Sequence, residues 1–111
     1  MENEVKKRLI DILFAIERID IHLKNCTSFK NYSENITAKA AVKRELSIIG
    51  ETVVNIKRVH PDIALSGTQK IISFRNLIVH AYDSVSDDIV WIIIVKNIPL
   101  LKIEVEELLK N

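Results

Sequence analysis

Apolar residues recur along the first segment at Val5, Leu9, Ile12, Ile16, Ile19 and Leu23, in alternating steps of four and three. Those steps trace one face of a helix. Lys6, Lys7, Asp11, Glu17, Arg18 and Lys24 fall off the seam. The pattern predicts a helix from about residue 3 to about residue 25. The stretch NCTSFKNYSEN then reads as a polar connection. A second seam follows at Val42, Leu46, Ile49, Val53 and Ile56, with Ser33, Asn35 and Thr37 as candidate N-caps and Pro61 as its stop. Gly50 lies inside this second helix, where glycine costs about 1 kcal/mol relative to alanine. It is either a tolerated flaw or the mark of a neighbouring helix that crosses too closely for a side chain.

HPDIALSGTQ reads as a linker with room for one helical turn, and a third, shorter helix is expected from near Thr68 to about Ala81. YDSVSDD is a turn, with Ser86 as N-cap and Asp87 and Asp88 in the next first turn, where negative charge suits the helix dipole. The final segment runs from about residue 87 to the end, with an interruption expected at Pro99. Its β-branched run IVWIIIV has strand propensity, but no partner strand exists elsewhere, and a lone strand would leave its backbone unpaired. A helix is therefore expected there too. The sum is an all-α fold: one domain over residues 1–111, an up-down four-helix bundle with a short third helix.

Composition narrows the function classes. With 111 residues the chain suits one domain with a modest core, and 48% hydrophobic against 28% charged residues marks it as globular. A net charge of +1 gives no bulk attraction for nucleic acid, so any such binding must come from a local patch. The single cysteine, Cys26, cannot pair within the chain, and the expected location is the cytoplasm. The longest apolar run, IVWIIIV, is far short of the ~20 residues that span a bilayer, so no membrane partner is expected. No metal cluster and no glycine-rich nucleotide loop is present in the sequence, and no cofactor is expected.

The polar chemistry concentrates in FRNLIVHAYD, residues 74–83. On a wheel at about 100° per residue, Ile71, Phe74, Leu77, Ile78 and Ala81 share one arc, and Arg75, Asn76 and His80 fall opposite. Arg75 and His80 are five residues apart, a rise of about 7.5 Å, so both could reach one phosphate. Asn76, four residues before His80, could orient its ring. Cleavage of RNA needs a base for the ribose 2′-OH, an acid for the leaving 5′-oxygen and a cation for the phosphorane. Histidine can serve in either proton transfer, and arginine offers a planar donor fork. One histidine is thin for two transfers, and a symmetric dimer would supply a second. By spacing alone an ordinary solvated face is the favoured reading, because an arginine and a histidine on an outer helix face are usually just solvated.

RNLIVHAY also resembles the Arg-Asn-x-x-x-His-x-Tyr signature of HepT-like proteins in the HEPN superfamily of helical domains. IIGETVVNI resembles the family's second-helix segment, RLIDILFAIERID its first, and DDIVW with IPLLKIEVEELL its last. Where many relatives carry a tryptophan before the third helix, PDIALSGTQK has none. The resemblance implies a dimeric, metal-independent ribonuclease toxin. It makes Arg75 and His80 catalytic in a dimer cleft, with Asn76 supporting. It also implies an MntA-like nucleotidyltransferase antitoxin that transfers AMP to Tyr82, adding charge and bulk beside Arg75. The RNA, a tRNA or an mRNA, would then need a local groove, with Lys39, Lys43, Arg44, Lys57 and Arg58 as its candidates.

A competing expectation is a non-catalytic helical module that presents nucleotide or substrate to a partner nucleotidyltransferase. His22 is expected in solvent, His60 at a helix end that suits a cation, and Trp91 in the core or a dimer interface. Glu51 is expected either as a surface carboxylate or at the edge of the cleft.

Overall fold

The computed structural model describes residues 2–80 and 85–110, the side chains of 78–80 excepted. The described residues hold helices and no strand. Helix α1 spans Asn3–His22, α2 Phe29–Glu34, α3 Ile36–Val59 and α4 Gln69–His80. A last rod consists of α5, Asp87–Ile92, a π-helical turn, Ile93–Asn97, and α6, Ile98–Lys110. The four long rods close a ring: α1 packs on α3, α3 on α4, α4 on the π turn, and α6 back on α1. No helix among the described residues is long and apolar enough to cross a membrane.

Both predicted seams form the core. Val5, Leu9, Ile12, Ile16 and Ile19 from α1 meet Val42, Leu46, Ile49, Val53 and Ile56 from α3, all buried in one cluster. Each such side chain removed from water contributes on the order of 1.5–3 kcal/mol, set against the entropy of ordering it. Ile71 and Phe74 anchor α4 to this cluster, and Val90, Ile93, Ile98, Leu101 and Val105 anchor the last rod. Glu45 is buried beside the α3 seam because the Arg18 guanidinium reaches it at 2.9 Å. That pair ties the end of α1 to the first half of α3, and a buried carboxylate requires such a partner.

The helix ends follow their capping residues. Asn35 is the N-cap of α3, its side-chain oxygen accepting the Ala38 N–H at 2.9 Å. Ser86 caps α5 as expected, accepting from Ile89 N–H. Pro61 follows the end of α3, and the residue before a proline is driven out of helical geometry. His60 sits there at φ −135° and ψ 74°.

Three expectations are corrected. The first helix stops at His22 rather than near residue 25, where a turn bonds Cys26 N–H to Leu23 O at 2.8 Å. The supposed polar connection contains α2, capped by Ser28, whose hydroxyl accepts the Asn31 N–H. A six-residue helix is too short to show a period, but Phe29 and Tyr32 are one turn apart and pack on Trp91. The Tyr32 ring centroid lies 5.4 Å from that of Trp91, so α2 covers the half-buried indole that α5 presents. Finally, Pro99 does not interrupt the last rod. The π turn widens the backbone just before it, with Ile98 N–H bonded to Ile93 O, so a residue without an N–H passes at the second position of α6.

The linker between α3 and α4 forms a turn rather than a helix, with Ile63 N–H bonded to His60 O. Its buried Ile63 and Leu65 supply apolar packing where the sequence carries no tryptophan. Gly67 takes φ 62°, a left-handed conformation that glycine adopts without penalty. The side chain of Glu104 on α6 accepts from the Ser66 N–H and hydroxyl, and Asn97 donates to Gly67 O at 3.2 Å. These bonds fix the point from which α4 sets out.

Candidate functional site

Helix α4 begins after Thr68, a buried residue whose hydroxyl receives the Lys57 ammonium at 2.8 Å. From there Ile71 and Phe74 face the core, and Arg75 follows on the side toward α3. At the crossing of the two helices stands Gly50. A Cβ placed there would lie 2.7 Å from Arg75 Cβ and 3.2 Å from the Ile71 carbonyl oxygen. Of the two readings of this glycine, the close crossing is therefore correct: a side chain at this point would push α4 away from α3.

The approach decides where Arg75 sits. Its side chain is not free on an outer face, as the wheel suggested, but retains 29% exposure and lies over α3. One terminal nitrogen pairs with the Glu51 carboxylate at 2.5 Å, and the other donates to Asn76 Oδ1 at 3.0 Å. Asn76 thus turns its carbonyl to the guanidinium. Leu77, expected in the core arc, is 39% exposed beside this group.

His80 is the last residue of α4, so its backbone continues the same helix that carries Arg75. Tyr82, expected to accept AMP, lies outside the described residues, as does Ala81.

The cations proposed for an RNA groove separate into two groups. Lys39 is held by Asp87 at 3.2 Å, which links the start of α3 to the start of α5, and Lys57 is held by Thr68. Lys43 is half-buried, while Arg44 and Arg58 are exposed. Arg44 and Arg58 stand seven residues before and after Glu51. Seven residues are about two turns, or about 10.5 Å, so these arginines flank the Glu51–Arg75 pair along one edge of α3. The structure therefore favours Arg44 and Arg58 over Lys39 as groups available to a ligand.

The sequence leaves Glu51 open between two roles and does not reveal its pairing with Arg75. The available signal was its place next to Gly50, the residue that permits the crossing. The remaining titratable candidates stay apart from this group. His22 and His60 are exposed at the ends of α1 and α3. Cys26 is buried, with Asn35 Nδ2 at 3.8 Å from its sulfur. Among the described residues no group of three or more His, Cys, Asp or Glu side chains is placed to hold a metal ion.

Comparison with known proteins agrees with the motif. Residues 12–108 match the model of the family described as Ribonuclease HepT-like. A protein of Thermococcus cleftensis named "Probable ribonuclease HepT" is 33% identical over 114 residues, spanning 99% of this chain and 100% of its own. A candidate RNase of Methanocaldococcus jannaschii is 27% identical over 114 residues, spanning 99% of this chain and 91% of its own. A further candidate RNase, from Caldanaerobacter subterraneus subsp. tengcongensis, is 32% identical over 99 residues, spanning 88% of this chain and 84% of its own. No solved structure gives a significant match. By a family match across most of its length and by these relatives, the chain belongs to the HepT-like ribonuclease family.

Proposed function

We propose that this protein is a metal-independent endoribonuclease toxin that cuts RNA with Arg75 and His80, in a cleft shared by two copies of the chain. The observation that carries the reading is the Arg75 guanidinium, fixed between Glu51 and Asn76 on the helix that ends in His80, in a chain of a ribonuclease family. In the reaction, neutral His80 of one copy takes the proton of a ribose 2′-OH, and the 2′-oxygen attacks the adjacent phosphorus. The bond to the 5′-oxygen breaks, and a protonated His80 of the second copy supplies the proton that this oxygen needs. The products are a 2′,3′-cyclic phosphate and a 5′-hydroxyl. Arg75 offsets the charge that builds on the non-bridging oxygens.

The same proposal includes control. A nucleotidyltransferase partner transfers AMP from ATP to the Tyr82 hydroxyl, with pyrophosphate leaving. The added phosphate then sets negative charge on the motif segment and repels RNA. The support here is the match of Tyr82 to the motif tyrosine. The site of action is the cytoplasm, which accords with a lone unpaired cysteine.

The test uses purified protein, a mixed RNA substrate and EDTA. Cleavage should persist in the chelator and fall by about 10²-fold or more in His80→Ala and Arg75→Ala, with folding unchanged by circular dichroism. Full activity of His80→Ala would reject the mechanism, and RNA binding without cleavage by the parent would favour a non-catalytic module. With the partner and ATP, intact mass should rise by AMP, and Tyr82→Phe should abolish the gain.

A further inference from the structure

We propose that Glu51 is a positioning residue for RNA cleavage, an inference that rests on the reading of Arg75 as the group that stabilises the phosphorane. Arginine is long and flexible, and its value to a transition state depends on how little it must reorganise as charge develops. Here α3 supplies the restraint. Gly50 removes the side chain that would hold α4 off, and the next residue, Glu51, meets the guanidinium. Asn76 holds the other terminal nitrogen from within α4, so two acceptors on two helices set the plane of the fork.

The pair is not explained as a structural strut. The Glu51 side chain is 49% exposed, and ion pairs with that much solvent contribute little to folding. Burial does not force the carboxylate to seek a partner, in contrast to Glu45, which is 6% exposed and pairs with Arg18. The Glu51 carboxylate also opposes an incoming phosphate. It weakens ground-state binding of RNA while it holds Arg75 in place, so its removal should move binding and turnover in opposite senses.

The experiment measures steady-state cleavage of a short RNA by the full chain and by Glu51→Gln, an exposed isosteric change. The expected result is a kcat lower by about tenfold with KM equal or reduced, and an unchanged melting temperature. Glu51→Asp, which keeps the charge on a shorter arm, should recover part of kcat. In an Arg75→Lys background, Glu51→Gln should cause no further loss, because there is no guanidinium fork to hold. Parental kcat in Glu51→Gln beside an inactive Arg75→Ala would overturn the role of Glu51 alone. An active Arg75→Ala would overturn the reading of Arg75 as well. Equal loss of kcat and of thermal stability in Glu51→Gln would reduce the pair to a structural one and overturn the proposal.

Discussion

Replacement of Gly50 by alanine separates local helix preference from packing at the crossing of α3 and α4. Preference alone predicts a gain of about 1 kcal/mol, since alanine is the better helix former. The crossing predicts the opposite. The new Cβ would lie 2.7 Å from Arg75 Cβ, whereas carbon atoms rest at about 3.5–4.0 Å. The clashing atom is attached directly to the α4 backbone and cannot swing aside, so α4 must retreat by roughly 1 Å. Overpacking of this kind costs about 1–3 kcal/mol, which leaves a net loss of about 1 kcal/mol after the gain in preference. For a domain of this size that lowers the melting temperature by about 4–8 °C. The same retreat draws Arg75 away from Glu51, and displacements near 1 Å can cost about 10²-fold in rate. Thermal denaturation and RNA cleavage would be measured on the one variant. A melting temperature above the parental value, with cleavage intact, would refute the close crossing.

Arg44→Ala with Arg58→Ala should weaken binding of a non-cleaved RNA and flatten its salt dependence by up to about two phosphate contacts, as read from binding isotherms at several salt concentrations; an unchanged slope would remove these residues from the interface. Tyr32 predicts behaviour in alkali. Burial above all, and then the charges of Asp87 and Cys26, push its phenol above the ordinary value near 10. The unfolded chain therefore loses this proton first, and the stability held below pH 10 declines as pH rises above it. Urea titrations from pH 8 to 11 should show this decline reduced in Tyr32→Phe. At neutral pH the same variant should match or slightly exceed the parent, because the buried hydroxyl has no partner among the described residues.

The long elements were legible in the sequence because their signals are periodic. Both seams, from Val5 to Ile19 and from Val42 to Ile56, are buried as their spacing required. Asn35 and Ser86 cap helices because a short polar side chain can accept from the first turn. α2 escaped because six residues give too few repeats, and its anchor is a contact with Trp91 some sixty residues away. The π turn before Pro99 escaped for a related reason, since the propensity rule for proline contains no term for a backbone that widens one turn earlier. At the site, the wheel correctly placed Arg75 off the Ile71–Phe74 arc but treated α4 as a helix in isolation. Its true surroundings include α3, and the crossing at Gly50 turns an outward arginine into a half-buried one. Glu51 became meaningful only once that crossing was seen.

Helix α3 carries the core seam on one side and the Arg44, Glu51 and Arg58 edge on another, along a single uninterrupted run from Ile36 to Val59. Because each residue turns the helix by about 100°, one residue inserted or deleted between Leu46 and Ile49 would rotate everything beyond it. Ile49, Val53 and Ile56 would leave the core in the same step that carried Glu51 away from Arg75. An insertion or deletion in the middle of α3 should therefore cost both the fold and the site at once, whereas a substitution on its outer face need cost neither.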